Sequence, residues 1–407
     1  MPSTNLNRRS LLASGGAALA TLSAAAPTVP PLKITGMEVL VVRVNQRGDW
    51  VFVRLRTDKG VTGLGEASHG GGFTRASGER NAAMRQALAD FFEMVRGESP
   101  FEIEQYRKRG REKAKAGGRL TATAFSALEQ AMWDLAGRAL GAPVWALLGG
   151  RLHHDLDVYA NINRATNIDR SPEAFAANAA KAVSEGFRAI KAAVFDDFPP
   201  LKSPKADLNR FQELGIARVE AIRRAIGPGV KLMIDVHSHF NVPLAIQVAR
   251  RLEPQNLFFY EEPVPPERLA ETAEIRAAIR QTMAGGEVLF GLESFVHLCR
   301  NRALSVIMPD VKHCGGLAEA RKIAVIAEVD DVAVSPHNPS GPAATAASVQ
   351  LCANLPNFLI LEHAWGEVPW RGDLITPPEQ FHSGRIRVPD GAGFGIELND
   401  TVVRAHA

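Results

Sequence analysis

The chain has 407 residues, 46% hydrophobic and 22% charged, enough for one large barrel with a smaller domain or for two or three modest domains. Its 47 basic and 44 acidic residues give a net charge of +3, which offers no electrostatic footprint for nucleic acid. Three cysteines, Cys299, Cys314 and Cys352, are too few and too scattered for a disulfide scaffold and read as buried thiols.

The N-terminus, "NLNRRSLLASGGAALATLSAAAP", places Arg8 and Arg9 before a weakly apolar run that ends in small residues near Ala24 to Ala26. That order resembles a bacterial twin-arginine export signal over residues 1–26, which predicts a periplasmic or exported protein. The alternative is a basic tail on a cytoplasmic chain. Without Arg8 and Arg9 the balance is 45 basic residues against 44 acidic. No other stretch approaches the ~18 apolar residues of a membrane helix, so no membrane contact is expected once the signal is removed.

Next, "ITGMEVLVVRV" and "WVFVRLRTDKGVTGLGEA" alternate as strands, with a turn at Asp58-Lys59-Gly60. From Ala82 to about Leu148 the period becomes helical. In "ATAFSALEQAMWDLAGRAL" the apolar residues Phe125, Leu128, Met132, Leu135 and Leu140 recur at helical spacing, and Gly141 and Pro143 end the run. Residues 30–150 are therefore expected to form a small α+β domain.

Beyond it, eight short apolar runs alternate with Ala-, Arg- and Glu-rich helical segments: "LDVYANIN", "AIKAAV", "KLMIDVH", "LFFYEEP", "QTMAGGE", "VIMPDVK", "DVAVSPHNP" and "FLILEHAW". A strand, a helix and two loops fit the spacing between them, and eight such units predict a (β/α)8 barrel of the TIM type over residues 151–366. The N-terminal domain would then cap the barrel. An insertion after the second strand, "FDDFPPLKSPKADLNRFQELG", either covers the site or forms a surface loop.

The ends of these strands carry the chemistry, because barrel active sites lie at the C-terminal strand ends. Asp235, Glu261 and Glu287 end the third, fourth and fifth strands. Three carboxylates in one mouth repel unless a divalent cation neutralises them, and an all-oxygen donor set favours Mg2+ over zinc. Asp310 ends the sixth strand and His337 the seventh, so the acid can orient the imidazole as a general base. Glu362 ends the eighth, where it can hydrogen-bond a substrate or form a rim salt bridge. In "LMIDVHSHF" an extended chain would put Asp235, His237 and His239 on one face.

Together, "YEEP", "GGE", "MPD" followed by "HCGG", "SPHNPSGP", "GVTGLGEA", "ALEQAMWDLAGRALGAPVWALLGG" and "LEHAWGEVPWR" resemble the mandelate racemase branch of the enolase superfamily. The resemblance covers nearly everything after the signal. It implies a barrel with an N-terminal capping domain whose loops close over the substrate, and a C-terminal segment, residues 367–407, packing back on that domain. His69 in "GEASHGGG" lies where one such loop would be. The resemblance also implies abstraction of the proton α to a carboxylate, with Mg2+ stabilising the enediolate, a pairing of base and metal that is general to enolase-type sites.

Departures from the family pattern select the reaction. Racemases of this branch carry Lys-x-Lys at the end of the second strand, whereas this chain has Lys191-Ala192-Ala193, so a two-base racemisation lacks its second base and Lys191 is left as a substrate-binding candidate. Cycloisomerase relatives place a lysine where Asp310 stands. Asp235 with His237 resembles the Asp-x-His of galactonate dehydratase-like acid-sugar dehydratases, in which the histidine protonates the leaving hydroxyl. The expected function is therefore dehydration of a sugar acid to a 2-keto-3-deoxy acid, by a homo-oligomer. Its rivals are a racemase, epimerase or cycloisomerase on the same scaffold, a His-x-His zinc hydrolase, and a non-catalytic sugar-acid binder. The zinc hydrolase needs that motif on the first strand, and the binder needs no general base.

Overall fold

The computed structural model of the chain describes residues 29–45, 48–70, 77–203 and 207–407. The twin-arginine segment lies outside them. The first alternating runs form a three-stranded antiparallel sheet of β1 (Ile34–Asn45), β2 (Gly48–Thr57) and β3 (Thr62–Glu66). Both faces of β2 are buried, which the period of two sorts cleanly. Val51, Val53 and Leu55 face the helices of this domain, whereas Trp50 and Phe52 join the larger cluster built around the barrel.

The helices are α1 (Ser77–Phe92), α2 (Ile103–Ala116), α3 (Gly118–Leu140) and the short α4 (Val144–Leu147). Gly141 ends α3 in the left-handed region, at φ 65°, as the sequence predicts. Phe125, Leu128, Met132 and Leu135 are buried, but Leu140 is 47% exposed because it lies on the last turn, beyond the sheet. In "GVTGLGEA", Gly63 and Gly65 let α3 touch β3: a Cβ would lie 2.2 Å from the Ala131 carbonyl oxygen or 2.0 Å from that of Ala127.

The barrel strands are β4 (Asp155–Asn161), β5 (Ala189–Ala192), β6 (Lys231–Asp235), β7 (Phe259–Glu261), β8 (Met283–Gly285), β9 (Val306–Ile307), β10 (Ala333–Val334) and β11 (Leu361–Ala364). They pair in parallel from β4 through to β10, β11 pairs with β4, and a bridge from Val334 to Phe358 closes the ring. Intervening helices are α5 (Pro172–Ser184), α6 (Leu208–Ile226), α7 (Val242–Arg251), α8 (Leu269–Ala278), α9 (Leu292–Arg300), α10 (Leu317–Val329) and α11 (Pro342–Cys352).

Tyr159, Ala189, Met233, Phe259, Ala284, Val306 and Ile360 form an apolar cluster drawn from successive strands. Two residues further along five of those runs come Asn161, Lys191, Asp235, Glu261 and Glu362, all buried. The pleat repeats every two residues, so these polar groups form the next layer above an apolar plug. The three cysteines are free and buried.

After the barrel the chain adds β12 (Ile375–Thr376), β13 (Phe381–His382), β14 (Arg385–Arg387), β15 (Glu397–Leu398) and α12 (Asp400–Ala405). β14 lies antiparallel to β4, so this segment extends the barrel sheet. It also reaches the N-terminal domain, where the Arg43 N–H donates to the His406 carbonyl at 2.7 Å and Arg54 pairs with Asp400 at 2.5 Å.

One buried acid ties three of these parts together. Asp134 on α3 accepts from the Leu64 N–H at 2.8 Å, the Phe394 N–H at 2.6 Å and Arg138 Nε at 2.8 Å. Asp134→Ala leaves two buried amides and a guanidinium without their acceptor. It should lower unfolding free energy by about 3 kcal/mol, read as a fall in the denaturant midpoint; an unchanged midpoint would contradict the clamp.

Candidate active site

A cavity of about 360 Å³ opens where the barrel mouth meets the N-terminal domain. His69 and Arg119 reach it from that domain, and Lys191, Asp235, His237, Glu287, His313 and His337 reach it from the barrel. The expected constellation is thus brought together, with Glu261 and Glu362 in contact with Lys191 on its floor.

β6 ends at Asp235, and the chain then turns instead of continuing extended: His237 has φ 48° and Ser238 φ 60°. The single-face reading of residues 235, 237 and 239 is therefore incorrect, because two left-handed residues reverse the chain. His237 still meets Asp235, by its N–H to Oδ1 at 3.0 Å and its Nε2 to Oδ2 at 3.0 Å. Its Nδ1 lies 2.5 Å from Asp196 Oδ1. Burial alone would lower the His237 pKa, but Asp235 and Asp196 raise it well above the usual imidazole range. Asp196 comes from the insertion after β5, so part of that insertion belongs to the site. The acidic pair in "FDDF" was its only signal. His239 also lines the cavity, and burial lowers its pKa.

On the other side His337 Nδ1 lies 2.7 Å from Asp310 Oδ2, and its Nε2 lies 3.2 Å from Glu287 Oε2. Both stand beyond their strands, which stop at Ile307 and Val334, so short loops deliver them. Asp310 accepts in addition from the Lys312 N–H at 2.7 Å and from Lys312 Nζ at 2.7 Å. Burial opposes ionisation of Asp310, yet Lys312, His313 and His337 hold its carboxyl well below the usual range. Lys312 is fully buried and also donates to the Ser340 hydroxyl. Sequence reading missed it, although it follows Asp310 by two residues. His313 was missed as well: its Nδ1 lies 2.8 Å from the Thr123 hydroxyl of α3, and burial pushes its pKa down to about 3.

Lys191 is 1% exposed, and its ammonium lies 3.0 Å from both Glu261 oxygens, 3.1 Å from Glu362 Oε1 and 3.5 Å from Asp235 Oδ2. Burial, then Asp235, pushes the Glu261 carboxyl well above its usual range, against the pull of Lys191. Glu362 also accepts from Asn161 Nδ2 at 2.5 Å and from the Asn338 N–H at 2.9 Å. Its carboxyl stays below the usual range: burial opposes this, and Lys191 and His337 outweigh it.

Ligand atoms of Asp235, His237 and Glu287 lie within 4.8 Å of one another, while Glu261 points both oxygens at Lys191. Asp235 Oδ2 and Glu287 Oε2 are buried without a hydrogen bond of normal geometry. Two under-satisfied carboxylate oxygens in one small space fit a hard divalent cation.

Two family patterns cover most of the chain. "Mandelate racemase / muconate lactonizing enzyme, N-terminal domain" matches residues 23–149, and "Enolase C-terminal domain-like" matches residues 174–402. The chain belongs to the mandelate racemase/muconate lactonizing enzyme family of the enolase superfamily. Among similar members of this family, D-xylonate dehydratase of Haloferax volcanii is 30% identical over 92% of this chain and 89% of its own length. D-galactonate dehydratase of Variovorax paradoxus is 30% identical over 86% and 89%. D-gluconate dehydratase of Thermoproteus tenax is 35% identical over 70% of this chain, a span that is 56% of that protein. Solved structures agree in fold. The mandelate racemase/muconate lactonizing enzyme from Jannaschia sp. CCS1 has 32% identity and a TM-score of 0.80 over 92% of this chain and 97% of that one. An enolase superfamily member from Salmonella Typhimurium has 28% identity and a TM-score of 0.82 over 92% and 98%.

Lys312 offers a test of the site's electrostatics. Lys312→Met leaves the Asp310 carboxylate buried with its principal cation removed and should cost about 3–5 kcal/mol of stability. Adding Asp310→Leu removes the stranded charge and should recover much of that loss. Unfolding midpoints of the single and double variants measure the coupling, and additive effects would refute it.

Proposed function

We propose that this protein dehydrates a sugar acid, removing the proton α to its carboxylate and the β-hydroxyl to give a 2-keto-3-deoxy acid. The observation that carries the reading is a pair of imidazoles, each held by a carboxylate of its own. His237 follows the third barrel strand and is held by Asp196, whereas His337 follows the seventh and is held by Asp310. Three strands of the eight-strand ring lie between them on either side, so they face the cavity from opposite sides. The names of the xylonate, galactonate and gluconate dehydratases support the same class.

In this reading Nδ1–H of His337 donates to Asp310, which leaves Nε2 to take the α-proton. His237, set between Asp196 and Asp235, donates a proton to the β-hydroxyl, which departs as water. The resulting enol tautomerises to the ketone. Asp235 and Glu287, with Glu261 beside them, would hold Mg2+, which when bound supplies positive charge against the negative charge that builds up on the substrate carboxylate. Racemisation by two bases is disfavoured, since the position of a second strand-two base is occupied by buried Ala193.

A screen of mono- and diacid sugars with Mg2+ present should yield a 2-keto-3-deoxy product. His337→Asn should abolish both product formation and α-proton exchange with deuterated solvent. His237→Asn should block product yet leave exchange measurable, with each loss about 10²- to 10⁴-fold. Epimerisation without dehydration would reject the reading. Separately, Mg2+ should raise the melting temperature of the chelator-treated protein, and Asp235→Asn should remove that rise; an Mg2+-independent melt and full activity after chelation would exclude the metal.

A further inference from the structure

The helices behind the His337 side of the cavity have no side-chain caps of their own. α10 starts after Gly316 and α11 after Gly341, and neither glycine offers an acceptor. Helix N-termini leave N–H groups that must find partners when buried. Here the partners come from the N-terminal domain. Glu129 on α3 accepts from the Leu317 N–H at 2.7 Å and the Ala318 N–H at 2.9 Å. Glu66, the last residue of β3, accepts from the Gly341 N–H at 2.8 Å and the Ala344 N–H at 2.8 Å.

Both acids are fully buried. The glycines make room for them: a Cβ on Gly316 would lie 2.1 Å from Glu129 Oε2, and one on Gly341 would lie 2.9 Å from each Glu66 oxygen. α3 grips the loop before α10 at two further points, where Gln130 Nε2 donates to the Val311 carbonyl at 3.3 Å and Thr123 meets His313.

The placement is selective. The loop before α10 carries Asp310, Lys312 and His313, and the loop before α11 carries His337 and Ser340. Among the acids of the cation site, Asp235 and Glu261 end β6 and β7, and Glu287 follows β8. Of the helices after those strands, α7 is capped by its own Asn241, and the Leu292 N–H at the start of α9 donates to Glu319 of α10. From the N-terminal domain Arg111 pairs with Glu293 of α9, whose carboxylate is 55% exposed, a kind of contact that contributes little, and Arg107 and Arg111 pair with Glu319, so that domain reaches the start of α9 through Glu319 rather than by a direct cap.

We propose that Glu66 and Glu129 are positioning residues for proton abstraction, capping α11 and α10 across the domain boundary so that His337 and Asp310 stand in register. The inference rests on His337 being the base. Its test uses the full-length chain with Glu66→Gln, Glu129→Gln and Gly341→Ala. The last keeps both acids, sits at an extended backbone position (φ −66°, ψ 174°) that alanine adopts without strain, and displaces the Glu66 cap by its added methyl. Expected is a parallel fall of kcat and α-proton exchange by about 10- to 100-fold, the scale of a small misplacement of reacting groups. KM and the Mg2+-induced melting shift should stay near wild type. Wild-type exchange in the capping variants, or an equal loss of Mg2+ response, would overturn the inference. If the glutamine variants fail to fold, Gly341→Ala decides by the same criteria. His337→Asn is the control: if it retains exchange, the assignment of the base fails, independently of the caps.

Discussion

The Lys191 ammonium, shared among Glu261, Glu362 and Asp235, is the interaction on which the barrel mouth depends. An apolar plug below closes the barrel to water, so the charges above it meet a low dielectric, in which unpaired carboxylates are costly and paired ones interact strongly. Lys191 compensates the acids of one side and Lys312 compensates Asp310 on the other. Asp235 Oδ2 and Glu287 Oε2 remain without a hydrogen bond of normal geometry, each within ion-pair range of a histidine. That residual negative potential is what a cation would meet.

The two histidines have different surroundings. His237 sits between Asp196 and Asp235, and His337 sits between Glu287 and Asp310, the latter also bonded by Lys312. The two anions beside His237 favour its proton against the effect of burial. In the proposed reaction this suits His237 to give a proton. Asp196, one of the two acids beside His237, lies in the insertion after β5 and not at a strand end.

The N-terminal domain is more than a lid, since its buried acids serve as part of the barrel's own helix architecture. Gly63 and Gly65 bring α3 against β3, and that contact places Glu66, Glu129 and Asp134 where barrel and C-terminal amides can reach them. Each amide group bonded this way would otherwise be a buried, unsatisfied donor. The domains are therefore joined by hydrogen bonds that neither could make alone.

The sequence by itself determined the repeat of strand and helix, the order of Asp235, Glu261, Glu287, Asp310, His337 and Glu362 around the ring, and the turn at Gly141. These are readable because pleat alternation, helical period and glycine conformation are local properties of the chain. It did not determine which partner each charge takes. The bond from the Ser238 N–H to the Glu262 carbonyl in the turn after Asp235, the reach of Asp196 to His237, the descent of Lys191 among the acids and the caps offered by Glu66 and Glu129 all join residues far apart in the chain. Only the tertiary structure decided them, because electrostatic pairing and helix capping depend on distance in space and on exclusion of water, and no period in the sequence records either.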